Sequence, residues 1–299
     1  LDAEGHKAFY QEHFGTFREK RFDALEISEL MNSECFPCIN ECILRRYMTE
    51  ISENIIKAND IVAAVEKRRT LKWYKRVRYY YDGLLQAAQM QQFYQANIGG
   101  FHIAEYAALW RAYTGDYCKM DHFYRQFHAA FGRSLKESST VLDDLYKSVA
   151  DYVERLYKNW FLTSLGGQWT SLIRDELEKS AWLPDLPQQA DFYRSFVAPI
   201  AASGSRVFVI ISDALRYEVA VDLTGQLLRE TKGDARISAV QGVFPSATKF
   251  GMAALLPHRS LQLTKDANVL CDGEPTEGTA AREKILNRAH AGNVAISYK

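Results

Sequence analysis

Two short apolar runs, each ending in a polar corner and each followed by a helical pattern, constrain this chain more than any other feature. The first is Val207-Phe-Val-Ile-Ile211, which ends in Ser212-Asp213 and gives way to Ala-Leu-Arg-Tyr-Glu218. The second, Ile237 to Val243, ends in Phe244-Pro-Ser-Ala-Thr248 and also turns helical. Short apolar runs bounded by turn residues read as buried strands. Strands alternating with helices predict a mainly parallel sheet with helices on its faces. Ligands in such folds bind at the carboxyl ends of the strands. One corner there offers a carboxylate and the other a hydroxyl. That pairing suits a divalent cation that activates the hydroxyl as a nucleophile.

The chain before these corners reads differently. Residues 1–183 look almost wholly helical, with Pro37 the one proline among them. Apolar residues recur at three and four in Ile51, Ile55, Ile56, Ile61, Val62, Val65, and again in Leu142, Leu145, Val149, Val153, Leu156, Trp160. That spacing gives a helix one buried face. Gly99-Gly100, Gly115 and Gly166-Gly167 are expected breaks between helices. Pro184 and Pro187 mark a change of composition. The expected organisation is a helical domain at 1–183, a linker and short helix at 184–205 with Pro199 near the helix end, and the N-terminal part of an α/β domain at 206–299. Within that last part, helix Leu215 to Glu230 carries Leu215, Val219, Leu223 and Leu227 on one stripe, with Glu218, Asp222 and Glu230 on a solvated face. Residues beyond Pro257 are expected to be loop-rich, up to a helix at 280–289 and a final strand.

The corner residues resemble the PglZ family, a branch of the alkaline phosphatase superfamily. Val-Ile-Ile-Ser-Asp213-Ala-Leu-Arg216 is similar to that superfamily's first metal-ligand strand. Phe244-Pro-Ser-Ala-Thr248 is similar to the segment that carries the nucleophile, in the form found in nucleotide pyrophosphatase/phosphodiesterases. The resemblance implies Asp213 as a metal ligand and Thr248 as both nucleophile and metal ligand. It implies one or two divalent cations, with histidine ligands favouring Zn²⁺ or Mn²⁺ over Mg²⁺. It implies a phosphatase or phosphodiesterase, acting on nucleotides or nucleic acid, in bacterial BREX phage defence beside a DNA methyltransferase and an ATPase. Arg216, one turn into its helix, and Lys249, beside Thr248, are the candidate phosphate-binding side chains. Thr248 at a helix start would also face backbone N–H groups suited to phosphate. Capping alone explains an Asp or Thr at a helix start, so the pair together carries the reading.

The superfamily also needs downstream Asp and His ligands. After Thr248 the chain has His258 and His290 but no Asp-His pair. Asp121-His122 and His128 precede the first strand, which is the wrong order. The chain starts at Leu1 and stops at Lys299 within another βα step, so it reads as an internal fragment that is inactive alone. The competing reading is a non-catalytic scaffold that binds other defence components or nucleic acid.

Charge is balanced overall, 37 Lys and Arg against 37 Asp and Glu, so no global field favours nucleic acid. Locally it is uneven. Lys67-Arg-Arg-Thr-Leu-Lys-Trp-Tyr-Lys-Arg-Val-Arg-Tyr-Tyr-Tyr81 interleaves bases with aromatics, as single-strand grooves do, or as a helix with an aromatic core face does. Cys35, Cys38 and Cys42 could hold zinc, act in redox chemistry, or be plain buried thiols. Five unevenly spaced cysteines fit reduced thiols in a cytoplasmic protein. No apolar run approaches the ~18 residues of a membrane span.

Overall fold

Periodicity at three and four residues folds most of the chain into helices. The computed structural model describes residues 22, 24–137 and 142–297. The helices are α1 (Ile27–Leu30), α2 (Cys38–Ser52), α3 (Ala58–Arg68), α4 (Arg78–Ala96), α5 (Tyr106–Ala112), α6 (Cys118–Glu137), α7 (Asp143–Glu154), α8 (Thr163–Ser180), α9 (Ala198–Ala202), α10 (Tyr217–Glu230), α11 (Thr248–Ala254) and α12 (Thr279–Ala289). Among the described residues no helix is long and apolar enough to cross a membrane. The chain divides into two units, residues 1–103 with 115–169, and residues 104–114 with 170–299.

The first unit is a helical assembly around Ile43, Leu44, Met48, Ile61, Tyr81, Phe127 and Tyr146. Ile51, Ile61, Val65, Leu142, Val149, Val153 and Leu156 are buried, as their spacing requires. Ile55 is exposed, because α2 stops at Ser52 and Asn54 turns the chain at φ 60°. Gly83 on α4 lets Tyr146 of α7 approach, and the Tyr146 hydroxyl donates to the carbonyl of Tyr79 at 2.9 Å. Arg68 is wholly buried. It donates to Asn40 Oδ1 at 2.9 Å and to the carbonyls of Met31 and Ser33 at 3.2 and 2.7 Å. Those bonds fasten the turn after α1 to α3, since a buried guanidinium must be matched by acceptors.

Two of the three expected glycine breaks do not occur. Gly99-Gly100 ends α4, with Gly100 at φ 98°. Gly115 instead lies in a π-helical turn, Tyr113–Tyr117, and Gly166 and Gly167 lie inside α8. A helical glycine costs only about 1 kcal/mol, which packing of the neighbouring residues overrides. Pro199 is likewise in the first turn of α9, not near a helix end, where its missing N–H costs nothing. The cysteines are all free. Cys38 and Cys42 face inward from the first two turns of α2, and Cys35 is exposed.

In the second unit the expected parallel sheet does not form among the described residues. The one sheet there is antiparallel, in the order β1-β2-β3, from Leu261–Leu263, Val269–Cys271 and Glu274–Pro275. Its register pairs Gln262 with Leu270 and Cys271 with Glu274. The connection is Asp272-Gly273, both with positive φ, a two-residue turn of the kind hairpins favour. Residues 207–211 belong to no strand, and residues 237–243 join only through an isolated parallel bridge, Gln188 to Gln241. A strand exists only where its N–H and C=O groups find a neighbour. Residues 207–211 find none here, and Phe208 and Ile210 are 79% and 92% exposed. The α10 stripe is open too, with Leu215, Leu223 and Leu227 exposed. Glu218, expected on the wet face, is buried at 2%.

Candidate active site

Each corner is built by local backbone chemistry. At the first, Ala214 takes a left-handed φ of 57°, a conformation costing a non-glycine residue roughly 1–2 kcal/mol. The reversal lets the Ala214 N–H donate to Asp213 Oδ1 at 3.0 Å. Arg216 then caps α10 with extended backbone. The start of that helix is held where the Tyr217 hydroxyl donates to the carbonyl of Thr114 at 3.3 Å.

The second corner hangs on two glutamines. Gln241 is buried. Its N–H donates to the carbonyl of Pro187 at 2.7 Å, and its side-chain oxygen accepts the N–H of Leu183 at 2.9 Å and the amide of Gln188 at 3.0 Å. Gln189 Oε1 accepts the Val243 N–H at 3.2 Å, and Gln189 Nε2 donates to the carbonyl of Gly251 at 3.3 Å. One side chain thereby ties both ends of the Phe244-to-Thr248 turn, which contains a cis Phe244–Pro245 bond. Ala247 is the N-cap of α11, and Thr248 is its first residue.

The two corners meet. Thr248 Oγ1 donates to Asp213 Oδ2 at 3.1 Å across 35 residues of chain. Asp213 therefore accepts one bond on each oxygen, from Ala214 and from Thr248. Both side chains are exposed, so the remaining lone pairs face outward. Arg216 and Lys249 are exposed as well. Neither bonds to Asp213 or Thr248; the Lys249 ammonium lies over the Phe250 ring, 5.2 Å from its centre.

A carboxylate and a hydroxyl oxygen this close fit two ligands of one divalent cation, in an oxygen set acceptable to Zn²⁺ or Mn²⁺. Among the described residues no group of three His, Cys, Asp or Glu completes a metal site. His258 Nδ1 lies 2.7 Å from the carbonyl of Leu256, and His290 Nδ1 lies 3.2 Å from that of Ala291. A cavity of about 780 Å³ opens elsewhere in this unit, walled by Phe192, Val207, Phe208, Leu286 and Val294. Its lining includes neither Asp213 nor Thr248.

Residues 192–299, which hold both corners, match the family described as the BREX system PglZ alkaline phosphatase-like domain. Similarity to named relatives runs over most of the chain. It is 35% identical over 277 residues to the alkaline phosphatase-like protein PglZ of Bacillus cereus (strain H3081.97), covering 92% of this chain and 31% of that protein. It is 34% identical over 268 residues to the alkaline phosphatase-like protein BrxZ of Escherichia coli O9:H4 (strain HS), covering 86% of this chain and 30% of that protein. The chain belongs to the PglZ family. It spans about a third of the length of these relatives. No solved structure matches it significantly.

Ala214, Gln189 and Gln241 were not expected at this site. A buried amide network leaves no periodic mark, and left-handed backbone at an alanine has none either. The Pro187-Gln-Gln189 segment, expected to be linker, carries much of the support for the second corner.

Proposed function

We propose that the full-length protein is a metal-dependent phosphoric ester hydrolase and that this chain supplies its nucleophile and first metal ligands. The observation that carries this is the 3.1 Å approach of Thr248 Oγ1 to Asp213 Oδ2. Asp213 orients the Thr248 hydroxyl by accepting its hydrogen bond. The deprotonated oxygen attacks phosphorus, the bond from phosphorus to the leaving oxygen breaks, and the leaving group departs with a proton. Water then hydrolyses the phosphothreonine ester and restores the hydroxyl. A bound Zn²⁺ or Mn²⁺ would lower the pKa of the coordinated hydroxyl and stabilise the charge that develops on phosphate oxygens. Arg216 and Lys249 are the cations on hand for those oxygens.

The remaining ligands, one or two cations and the pairing partners of residues 207–211 lie, on this proposal, outside the described residues. The exposed apolar run and the incomplete ligand set both support that reading. The mainly parallel sheet is then completed in the full-length protein, and this chain alone is inactive. The printed names of the relatives place the activity in phage defence, alongside other BREX proteins such as a DNA methyltransferase and an ATPase. Nucleic acid is the substrate class in which a diesterase would serve that role.

The test is hydrolysis of a generic phosphodiester by the full-length protein, with Zn²⁺, Mn²⁺ or chelator, for wild type and Thr248→Ala. Metal-dependent turnover lost in the variant is the expected result. Equal turnover in the variant would refute the nucleophile. No turnover in either, with metal bound, would favour the scaffold reading.

A further inference from the structure

A small polar cavity in the first unit is unconnected with the Asp213–Thr248 pair. Tyr79, Asp82 and Gln86 recur at three and four along α4, and Gln126, Ala129, Ala130 and Arg133 recur likewise along α6. These two faces, with Arg69 at the end of α3, wall a cavity of about 160 Å³. The alanines leave the room, since longer side chains there would fill the slot between the helices.

Its charge is lopsided. Arg78 and Arg133 stack on opposite approaches to one ring, their guanidinium carbons 4.4 and 5.8 Å from the Tyr79 centre. Asp82 is the one acid in the lining. It is already engaged by the Tyr74 hydroxyl at 2.9 Å and by Arg69 Nη2 at 3.7 Å. Among the described residues neither Arg78 nor Arg133 has an acidic partner. The buried Gln86 Oε1 has no hydrogen-bond partner there either. A half turn of that amide offers N–H donors to the cavity instead.

Small-molecule sites usually measure about 300–1,000 Å³, so this one takes a single anionic group carried on something larger. Planar guanidinium forks match phosphate. The surroundings extend the match. Lys72, Lys75 and Arg76 are exposed on the same α3–α4 connection, and Lys72 and Arg76 lie 4.9 and 5.3 Å over the Trp73 ring. Repeated cations beside aromatic faces suit a chain of phosphates with bases between them. We propose that this cavity is a phosphate subsite for a nucleic-acid strand, with Arg133 and Arg78 as the phosphate donors and the 72–76 surface receiving the neighbouring nucleotides.

The test is fluorescence anisotropy of a labelled single-stranded oligonucleotide titrated with the protein across a salt series. Binding that weakens with salt is expected. Arg133→Gln removes one charge-assisted contact and should weaken it roughly tenfold, lowering the salt slope by about one. Ala129→Glu, which puts a carboxylate at the exposed mouth, should weaken it as well. Arg194→Gln, a surface change in the other unit, should not. Arg133 and Ala129 are exposed, so melting temperatures should match wild type. No binding at about 50 mM salt, or equal binding by Arg133→Gln, would overturn the proposal. So would displacement by inorganic phosphate or polyglutamate as efficient as by unlabelled oligonucleotide, which would assign the cavity to free phosphate or to an acidic protein.

Discussion

Gly83→Ala separates two forces that act in opposite directions. Gly83 is interior to α4, and alanine there improves helix propensity by about 1 kcal/mol. A Cβ at that position would lie 1.7 Å from the Tyr146 hydroxyl oxygen and 2.8 Å from its ring carbon Cζ. The ring has no easy retreat, because Tyr146 is fully buried and packed against Tyr80, Phe127 and Phe131. Overpacking a filled core costs roughly 1–3 kcal/mol. Displacing the hydroxyl from the Tyr79 carbonyl strands a buried polar group at about 1–3 kcal/mol more. Subtracting the propensity gain leaves a net loss near 3 kcal/mol, or a melting point lower by roughly 6–12 °C for a unit of this size. Urea unfolding followed by far-UV circular dichroism reads this directly. Adding Tyr146→Phe to Gly83→Ala should recover part of the loss, because the nearest clashing atom is gone. A Gly83→Ala protein as stable as wild type would refute the close approach of α4 and α7.

Other perturbations test other layers. Arg68→Met should cost about 2–3 kcal/mol, since it strands the carbonyls of Met31 and Ser33; hydrogen exchange should accelerate at residues 30–33, and unchanged exchange would contradict the fastening role. Acidification should destabilise the first unit. Burial holds the His128 imidazole below its usual 6.5, with Glu154 opposing. For Glu154 burial pushes the carboxyl up, but hydrogen bonds from Lys158 and Tyr124 outweigh it and the carboxyl ends below its usual 4.5. In both cases the unfolded chain binds protons first as pH falls, so stability drops from about pH 6.5 downward and again below about 4.5. Glu154→Gln should flatten the lower limb of melting temperature against pH, and a limb that rises on acidification would be inconsistent. At the first corner, Ala214→Gly should be neutral to slightly stabilising, because relief of the left-handed strain exceeds the entropy glycine adds to the unfolded chain, whereas Ala214→Val should lose at least about 1 kcal/mol.

The helical half was legible because its signal is local: a 3.6-residue repeat is written in consecutive residues, and Ile61, Val65, Val149 and Val153 went where it sends them. Aromatic residues showed the limit. Tyr80 and Tyr81, which looked like members of a basic stacking surface, are core, while Trp73 and Tyr79 keep cations over their rings. The Asp272-Gly273 turn was also written locally, but strands of two or three residues are too short to announce themselves around it. Strand pairing was not legible, since it depends on partners far away in sequence. Residues 207–211 have the right composition and no neighbour, so composition alone did not make them a strand.

That failure bears on how the site is held. If a sheet were what brings the corners together, Asp213 and Thr248 would drift apart where residues 207–211 and 237–243 lack strand pairing. Their oxygens are nonetheless 3.1 Å apart. What holds them is nearer: the left-handed turn at Ala214, the Tyr217 bond to Thr114, and the Gln189 and Gln241 amides that fasten both sides of the second corner. Such a corner is set before its metal or its remaining ligands arrive, and preorganisation of this kind is what lets a weak nucleophile meet phosphorus without first being ordered. It follows that Gln189→Ala, which touches neither Asp213 nor Thr248, should lower turnover of the full-length enzyme through a reduced kcat and loosened metal binding, with the protein still folded. Turnover and metal affinity both equal to wild type would show that the completed sheet, rather than the amides, positions Thr248.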